Sequence, residues 1–232
     1  MFHGGTWFQL CQDCVVRTDD ERSPRRQDAL SAHVIVAEAV AVLDDSGIGG
    51  LTFRALSKRL RTGPGAIYHH VANKEELLAA AALKLANDLA SAHPDNVREF
   101  MLAIHDLIEG HRWLGAQLSS APWQDAVMML FESIGDRLAR QGLEAVRLFD
   151  VASALVNYLL GSAGQYAAGA RVPGDIGRDE FLVEVTTSWT SRTDPEQFPF
   201  IHSIAEQLAH HDDRRQFAAG VDLILSGASA PN

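Results

Sequence analysis

The sequence predicts an all-α protein: a small N-terminal helix-turn-helix domain joined by a continuous helix to a larger helical domain. Three observations lead there. No alternating apolar and polar pattern of the kind a half-buried strand needs persists anywhere in the chain. Residues 46–74 spell two short capped helices around a tight turn. Beyond them, apolar residues recur at helical spacing between Pro and Gly breaks. At 232 residues the chain is long enough for two small helical domains or one large one.

The run at 46–74 contains no Asp or Glu, yet it holds Arg54, Lys58, Arg59, Arg61 and Lys74, with His69 and His70 beside them. The whole chain has 20 basic and 30 acidic residues, so an acid-free basic stretch points to a polyanion partner, whose phosphates release counterions to Lys and Arg. Thr52 is a good N-cap, and Leu51 and Leu56 stand where a hydrophobic staple packs. The first of the two short helices is therefore expected at 53–60 and the second at 64–70, where Pro64 opens it at no cost in hydrogen bonds. Arg61, Thr62 and Gly63 form the turn. Asn73 with Glu76 reads as a capping-box variant opening a third helix, 74–92, which Pro94 stops. Upstream, Ile35, Ala39, Val42 and Leu43 give one apolar stripe on a helix that closes at Gly47. The spacing is that of a helix-turn-helix, whose second helix enters the DNA major groove.

Residues 47–78 resemble the DNA-binding domain of the tetracycline-repressor (TetR) family of bacterial transcription regulators. The phrases that match are Leu51-Thr52-Phe53-Arg54-Ala55-Leu56, Gly65-Ala66-Ile67-Tyr68-His69-His70-Val71 and Asn73-Lys74-Glu75-Glu76-Leu77-Leu78. By this resemblance Arg54 and the helix start at Pro64, Gly65 and Ala66 face the groove floor, and Arg54 has the chemistry to bond a guanine edge. Tyr68, His70 and Lys74 match positions that grip phosphates, with Thr52, Arg61, Thr62 and His69 completing the expected DNA face. Tyr68 has the alternative of packing on the first helix. Arg25 and Arg26 form a basic arm able to reach the minor groove. Two departures stand out. Arg61 occupies a place where the family usually has a turn glycine, so either the turn shifts to Gly63 or Arg61 accepts strain. Phe53 replaces a position that is often polar. Leu56, Leu60, Ile67 and Val71 are domain core.

The charge balance reverses after the head. Residues 77–232 hold 11 basic and 20 acidic residues, against 7 and 6 in residues 25–76. We read residues 1–24 as an extension outside the fold, 25–76 as the DNA-binding domain and 77–232 as a ligand-binding and dimerisation domain. Helices in the last are expected at 95–109, 112–119, 123–141, 144–170, 178–191, 201–210 and 213–225, with a loop at 172–174. Phe217, Val221, Ile224 and Leu225 share one face of the final helix.

Family resemblance implies a cavity for a small-molecule effector in this body. The expected ligand-binding residues are His105, Trp113, Trp123, Met128, Phe131, Asn157, Tyr158, Gln165 and Trp189, with His111, Met129 and Tyr166 also in view; the alternative for each aromatic or Met is core. The resemblance also implies a homodimer on a palindromic operator, formed by two long helices at about 148–166 and 214–225. The small residues Ala152, Gly161, Ala163 and Gly164 permit close helix approach. A ligand-responsive regulator, more specifically a repressor, is the function expected, with no cofactor.

Other constellations rank lower. Cys11-Gln-Asp-Cys14 has zinc spacing but supplies half a tetrahedral site. His211-Asp212 is the pair used by helical metal-dependent phosphohydrolases, the rival reading, for which His105 and Asp106 are the available additional ligands. No apolar run reaches membrane-spanning length and no secretory signal is read at the start, so a cytoplasmic, membrane-free protein is expected.

Overall fold

The computed structural model describes residues 30–92, 95–169 and 177–229, which form eleven helices. Arg25, Arg26, Cys11, Cys14, Pro94 and the 172–174 loop lie outside the described residues. The head comprises α1 (Ala32–Gly50), α2 (Phe53–Arg59) and α3 (Pro64–Tyr68), followed by α4 (Lys74–Ala92). The body comprises α5 (Val97–Gly110), α6 (Arg112–Ser120), α7 (Asp125–Arg140), α8 (Ala145–Gly169), α9 (Arg178–Arg192), α10 (Pro199–Ala209) and α11 (Asp213–Ser229).

The head closes on one small core: Ile35, Val36, Ala39, Val42 and Leu43 of α1 meet Leu51, Leu56, Ile67 and Val71. Leu60, expected with them, is half-buried as the C-cap of α2. The expected end of α1 at Gly47 is a break in the helix: Gly47 takes φ 64, a left-handed conformation that glycine adopts without penalty, and a last turn then resumes to Gly50. α4 spans the expected range, and Leu77, Leu78, Ala81, Ala82, Leu85, Ala86 and Leu89 form its buried stripe. That stripe packs against α1 on one side and α6 and α7 on the other.

In the body, α8 is the long central helix, lying against α6, α7, α5 and α11. Its approach to α6 is so close that a Cβ on Gly115 would sit 2.8 Å from the carbonyl oxygen of Ala163. α11 runs antiparallel to α5, fastened by two bidentate ion pairs: Arg98 to Asp222 at 2.5 and 2.9 Å, and Arg214 to Asp106 at 2.7 and 3.0 Å. Between them Phe217 and Val221 are buried, while Ile224 and Leu225 of the same expected stripe are half-buried. Arg137 of α7 is a buried cation. It donates to Ser133 O and Ala90 O and lies 3.9 Å above the Phe100 ring, and burial depresses its pKa. α9 and α10 pack mainly on each other, with Thr186 and Ala209 as their buried residues.

Differences from the expected boundaries have local causes. α7 starts at Asp125 rather than 123, because 121–124 form a turn closed by Gln124, whose side chain donates to Gln117 O at 2.9 Å. α10 starts at Pro199 rather than 201, since proline suits the first helical turn.

The Gly115 contact is testable. Alanine favours a helix interior over glycine by about 1 kcal/mol, but a backbone carbonyl cannot move aside as a side-chain tip can. Gly115→Ala is therefore expected to lower stability by about 1–3 kcal/mol in urea unfolding, whereas Gly135→Ala, with open space around its Cβ position, gains from propensity alone.

Candidate nucleic-acid interface

The helix-turn-helix is fixed by caps. Thr52 has extended backbone geometry and its hydroxyl accepts from Ala55 N at 3.1 Å, opening α2. Leu60 closes it, and Thr62 N returns to Ser57 O at 3.0 Å. Arg61 itself adopts φ 51, while Gly63 has an ordinary extended conformation at φ −79. Of the two possibilities at this turn, Arg61 takes the left-handed position and its strain. α3 then starts at Pro64 and ends at Tyr68, two residues short of the expected His70. Asn73 accepts from Glu76 N at 2.7 Å, and the Glu76 carboxylate reaches back to Ala72 N at 2.7 Å, so the capping box opens α4 one residue wider than the usual reciprocal form.

The basic residues divide into two sets. Arg59 is consumed inside the head, donating to Glu38 and Asp45 of α1. Lys74 is half-buried and donates to Ile48 O at 2.5 Å, tying α4 to the C-terminal end of α1. An ammonium carries two further protons to donate. In contrast Arg54, Lys58, Arg61, His69 and His70, exposed as Arg59 also is, have no ion-pair partner among the described residues. Pro64 and Gly65 are exposed with them, and nothing lies within 4 Å of a Cβ built on Gly65. Thr62 and Ala66 are half-buried, and Thr52 is exposed. Tyr68 is 53% exposed and stacks on Phe53, ring centroids 4.3 Å apart. It therefore leans on the second helix rather than the first, and Phe53, odd in sequence, is its support.

Beneath the head lies a junction that sequence reading did not find. Asp44, near the end of α1, accepts from His111 Nδ1 at 2.7 Å and from Trp113 Nε1 at 2.8 Å, both at the start of α6. One carboxylate oxygen thus joins head and body. The acidic pair Asp44-Asp45 just before the acid-free run is the signal that was available: the two carboxylates divide their work, one to Trp113 and His111, the other to Arg59.

The expected ligand-binding residues do not surround one cavity in the single chain. Trp123 is 96% exposed, and Met128, Asn157, Gln165 and Trp189 are exposed as well. Asn157 and Gln165 fall on the outward face of α8, because the helix buries Val151, Leu155, Val156, Leu159 and Ala163 instead. Trp113 is buried against the head rather than within the body. Phe131 is half-buried beside Phe149 in a shallow groove between α7 and α8. Tyr158 stacks on Phe217 across α11, where Gly220 leaves room for its hydroxyl. His105 alone is both polar and buried, with Nε2 2.8 Å from the hydroxyl of Tyr166, whose pKa burial pushes up. The rival pair has other work: Asp212 caps α11 by accepting from Arg215 N at 2.6 Å, and His211 lies 2.8 Å from Leu208 O and 3.1 Å from Asp213. No described helix is long and apolar enough to cross a membrane.

Residues 35–81, which span the head from within α1 into α4, match the family described as bacterial regulatory proteins, tetR family. The solved structure of the transcriptional regulator SCO7222, a TetR from Streptomyces coelicolor, is 42% identical with a TM-score of 0.72, the match covering 86% of this chain and 97% of that one. This chain belongs to the TetR family. It is a helix-turn-helix, DNA-binding transcriptional regulator. A curated "HTH-type transcriptional regulator" of Saccharopolyspora erythraea is 25% identical over 166 residues, 68% of this chain and 66% of its own length. The same fold appears in ActR of Streptomyces coelicolor, solved in complex with actinorhodin. That protein is 22% identical with a TM-score of 0.66, over 86% of this chain and 96% of its own.

Within this TetR-family head the turn strain has a measurable consequence. A non-glycine residue in the left-handed region costs about 1–2 kcal/mol. Arg61→Gly relieves it at the expense of greater unfolded-chain freedom, so stability should rise by about 1 kcal/mol in thermal or urea unfolding.

Proposed function

We propose that the protein is a homodimeric repressor that reads a palindromic operator through α2 and α3 and releases it when a small-molecule effector binds the body. The observation that carries the reading is the exposure of Arg54, Lys58, Arg61, His69 and His70, all from an acid-free run around the open start of α3, on a chain of net charge −10. One short recognition helix reads too few base pairs for specificity, and two-fold symmetry doubles the site. The acidic body is repelled by DNA and leaves the head to approach it. At the groove floor Arg54 is the donor, while Pro64, Gly65 and Ala66 offer contact surface without side-chain hydrogen bonds.

Dimerisation through α8 and α11 is supported by the character of their outward residues. Val146, Phe149 and Leu223 are 71–80% exposed, and small residues such as Gly161, Ala219 and Gly227 lie among the exposed positions of the two helices. An open groove of about 350 Å³ between them is lined by Val146, Val151, Ala154 and Ile224 among others. Large apolar side chains beside small ones favour a partner helix over water.

Effector response needs a rigid path, and two connections supply it: the unbroken α4, and the Asp44 bonds to His111 and Trp113. By linkage, an effector that weakens operator binding is itself bound more weakly when operator is present, by the same factor.

Selection from random duplexes should enrich a symmetric motif with half-sites about one helical turn apart, bound more weakly as salt rises; enrichment of no such motif overturns the reading. On the selected site Arg54→Ala is expected to cost about 1–3 kcal/mol and relax one base preference. Lys74→Ala should weaken all sequences alike, and it should also lower the melting temperature because Ile48 O loses its donor. Asp44→Ala strands the Trp113 and His111 donors, and is expected to lower stability by about 1–3 kcal/mol. It also alters operator affinity, although residue 44 lies outside the expected DNA face; unchanged affinity in this variant removes the Asp44 path.

A further inference from the structure

We propose that His105 Nδ1, Asp106 and Glu109 form a site for a divalent first-row transition-metal ion on α5. Residues i and i+4 of a helix lie one above the other, and i+1 lies beside i+4, so these three side chains share a single flank. Their ligand atoms are all within 4.8 Å of one another, with His105 buried and both carboxylates exposed. His105 Nδ1 is 3.5 Å from Asp106 Oδ1. Two atoms bound to one tetrahedral ion at about 2.1 Å each are separated by roughly 3.4 Å, so this spacing needs little adjustment to hold a metal.

The independent sign of a ligand is the imidazole. His105 is 2% exposed, and its Nδ1 completes no hydrogen bond, its contact with Asp106 Oδ1 being long at 3.5 Å. A buried polar atom left unsatisfied is costly, and native structures seldom tolerate it without a purpose. The other ring nitrogen is already fixed, 2.8 Å from the Tyr166 hydroxyl. When Nε2–H donates to that oxygen, Nδ1 carries a lone pair 3.5 Å from Asp106 Oδ1, with the Glu109 carboxylate in the same cluster. A cation satisfies all three groups at once, and Tyr166 then holds the ring as outer hydrogen-bond partners hold metal-bound histidines elsewhere. An imidazole with two carboxylates suits zinc, cobalt, nickel or iron(II) rather than calcium or magnesium, and the exposed side of the site leaves positions for water or an effector oxygen.

Arg214 is the built-in competitor. Its guanidinium is bidentate on Asp106 and holds that carboxyl below the usual carboxylate range. Both side chains are about half exposed, and exposed ion pairs are readily exchanged. Losing the pair leaves α11 held by Arg98–Asp222 and by buried Phe217 and Val221. Metal binding therefore exchanges one α5–α11 tether for an ion without unseating the helix.

The test is titration of the full-length protein with Co²⁺, followed by its visible absorption and by displacement with Zn²⁺, in a Cys11→Ser/Cys14→Ser background that removes the chain's two thiols. One equivalent of Co²⁺ is expected to bind and raise the melting temperature. Glu109→Gln, an exposed substitution that leaves the core intact, should weaken binding by more than about tenfold, and Asp106→Asn likewise. Arg214→Gln should tighten it by removing the competitor. Cobalt binding that is unchanged in both Glu109→Gln and Asp106→Asn overturns the proposal, as does the lack of any binding at millimolar Co²⁺.

Discussion

The whole molecule depends on one apolar stripe. Leu77, Leu78, Ala81, Ala82, Leu85, Ala86 and Leu89 face inward along α4, and that face is shared by α1 of the head and by α6 and α7 of the body. Each fully buried leucine contributes about 1.5–3 kcal/mol, so neither side can withdraw from the helix without exposing residues that the other also needs. A glycine-rich tether would have let the head move independently. A helix packed on both sides makes head orientation a property of the body.

Charge is arranged with the same economy. The acidic side chains of α1 are paired within the chain, Glu38 and Asp45 with Arg59 and Asp44 with His111 and Trp113. What remains outside on α2, α3 and the turn is positive or neutral. The basic surface is thus made as much by the lack of carboxylates in residues 46–74 as by how many arginines are present. On the body, two Arg–Asp pairs clasp α11 to α5, and the buried guanidinium of Arg137 joins α7 to Ala90 O of α4. The half-exposed Arg–Asp pairs flank a seam whose burial comes from Phe217 and Val221.

Close approach does the remaining work. Gly115 admits the Ala163 carbonyl, so α8 meets α6 at backbone distance, and Gly220 admits the Tyr158 hydroxyl, so α8 meets α11 through a side chain. Tyr158 fills its place by stacking on Phe217. The large outward residues of α8 and α11, Val146, Phe149 and Leu223, are consequently not needed by the chain's own core.

The sequence by itself determined the local features, because those depend on neighbours within a few residues. The Thr52 and Asn73 caps, the proline start of α3, the break at Gly47, the bounds of α4 and the acid-free run are all short-range chemistry, legible to anyone reading along the chain. It also carried enough of the head to reveal the family. The partners of long side chains were decided only by the tertiary structure. Lys74 reaches Ile48, Arg59 reaches back to α1, and Asp44 meets His111 and Trp113 across 67 and 69 residues. Trp113 resembles a pocket aromatic in sequence and proves to be a hydrogen-bond donor at a junction. Asn157 and Gln165 resemble buried amides, yet α8 turns them outward. A helix of mostly small apolar residues shows weak amphipathicity, and which face it buries is settled by neighbours that come from elsewhere in the chain.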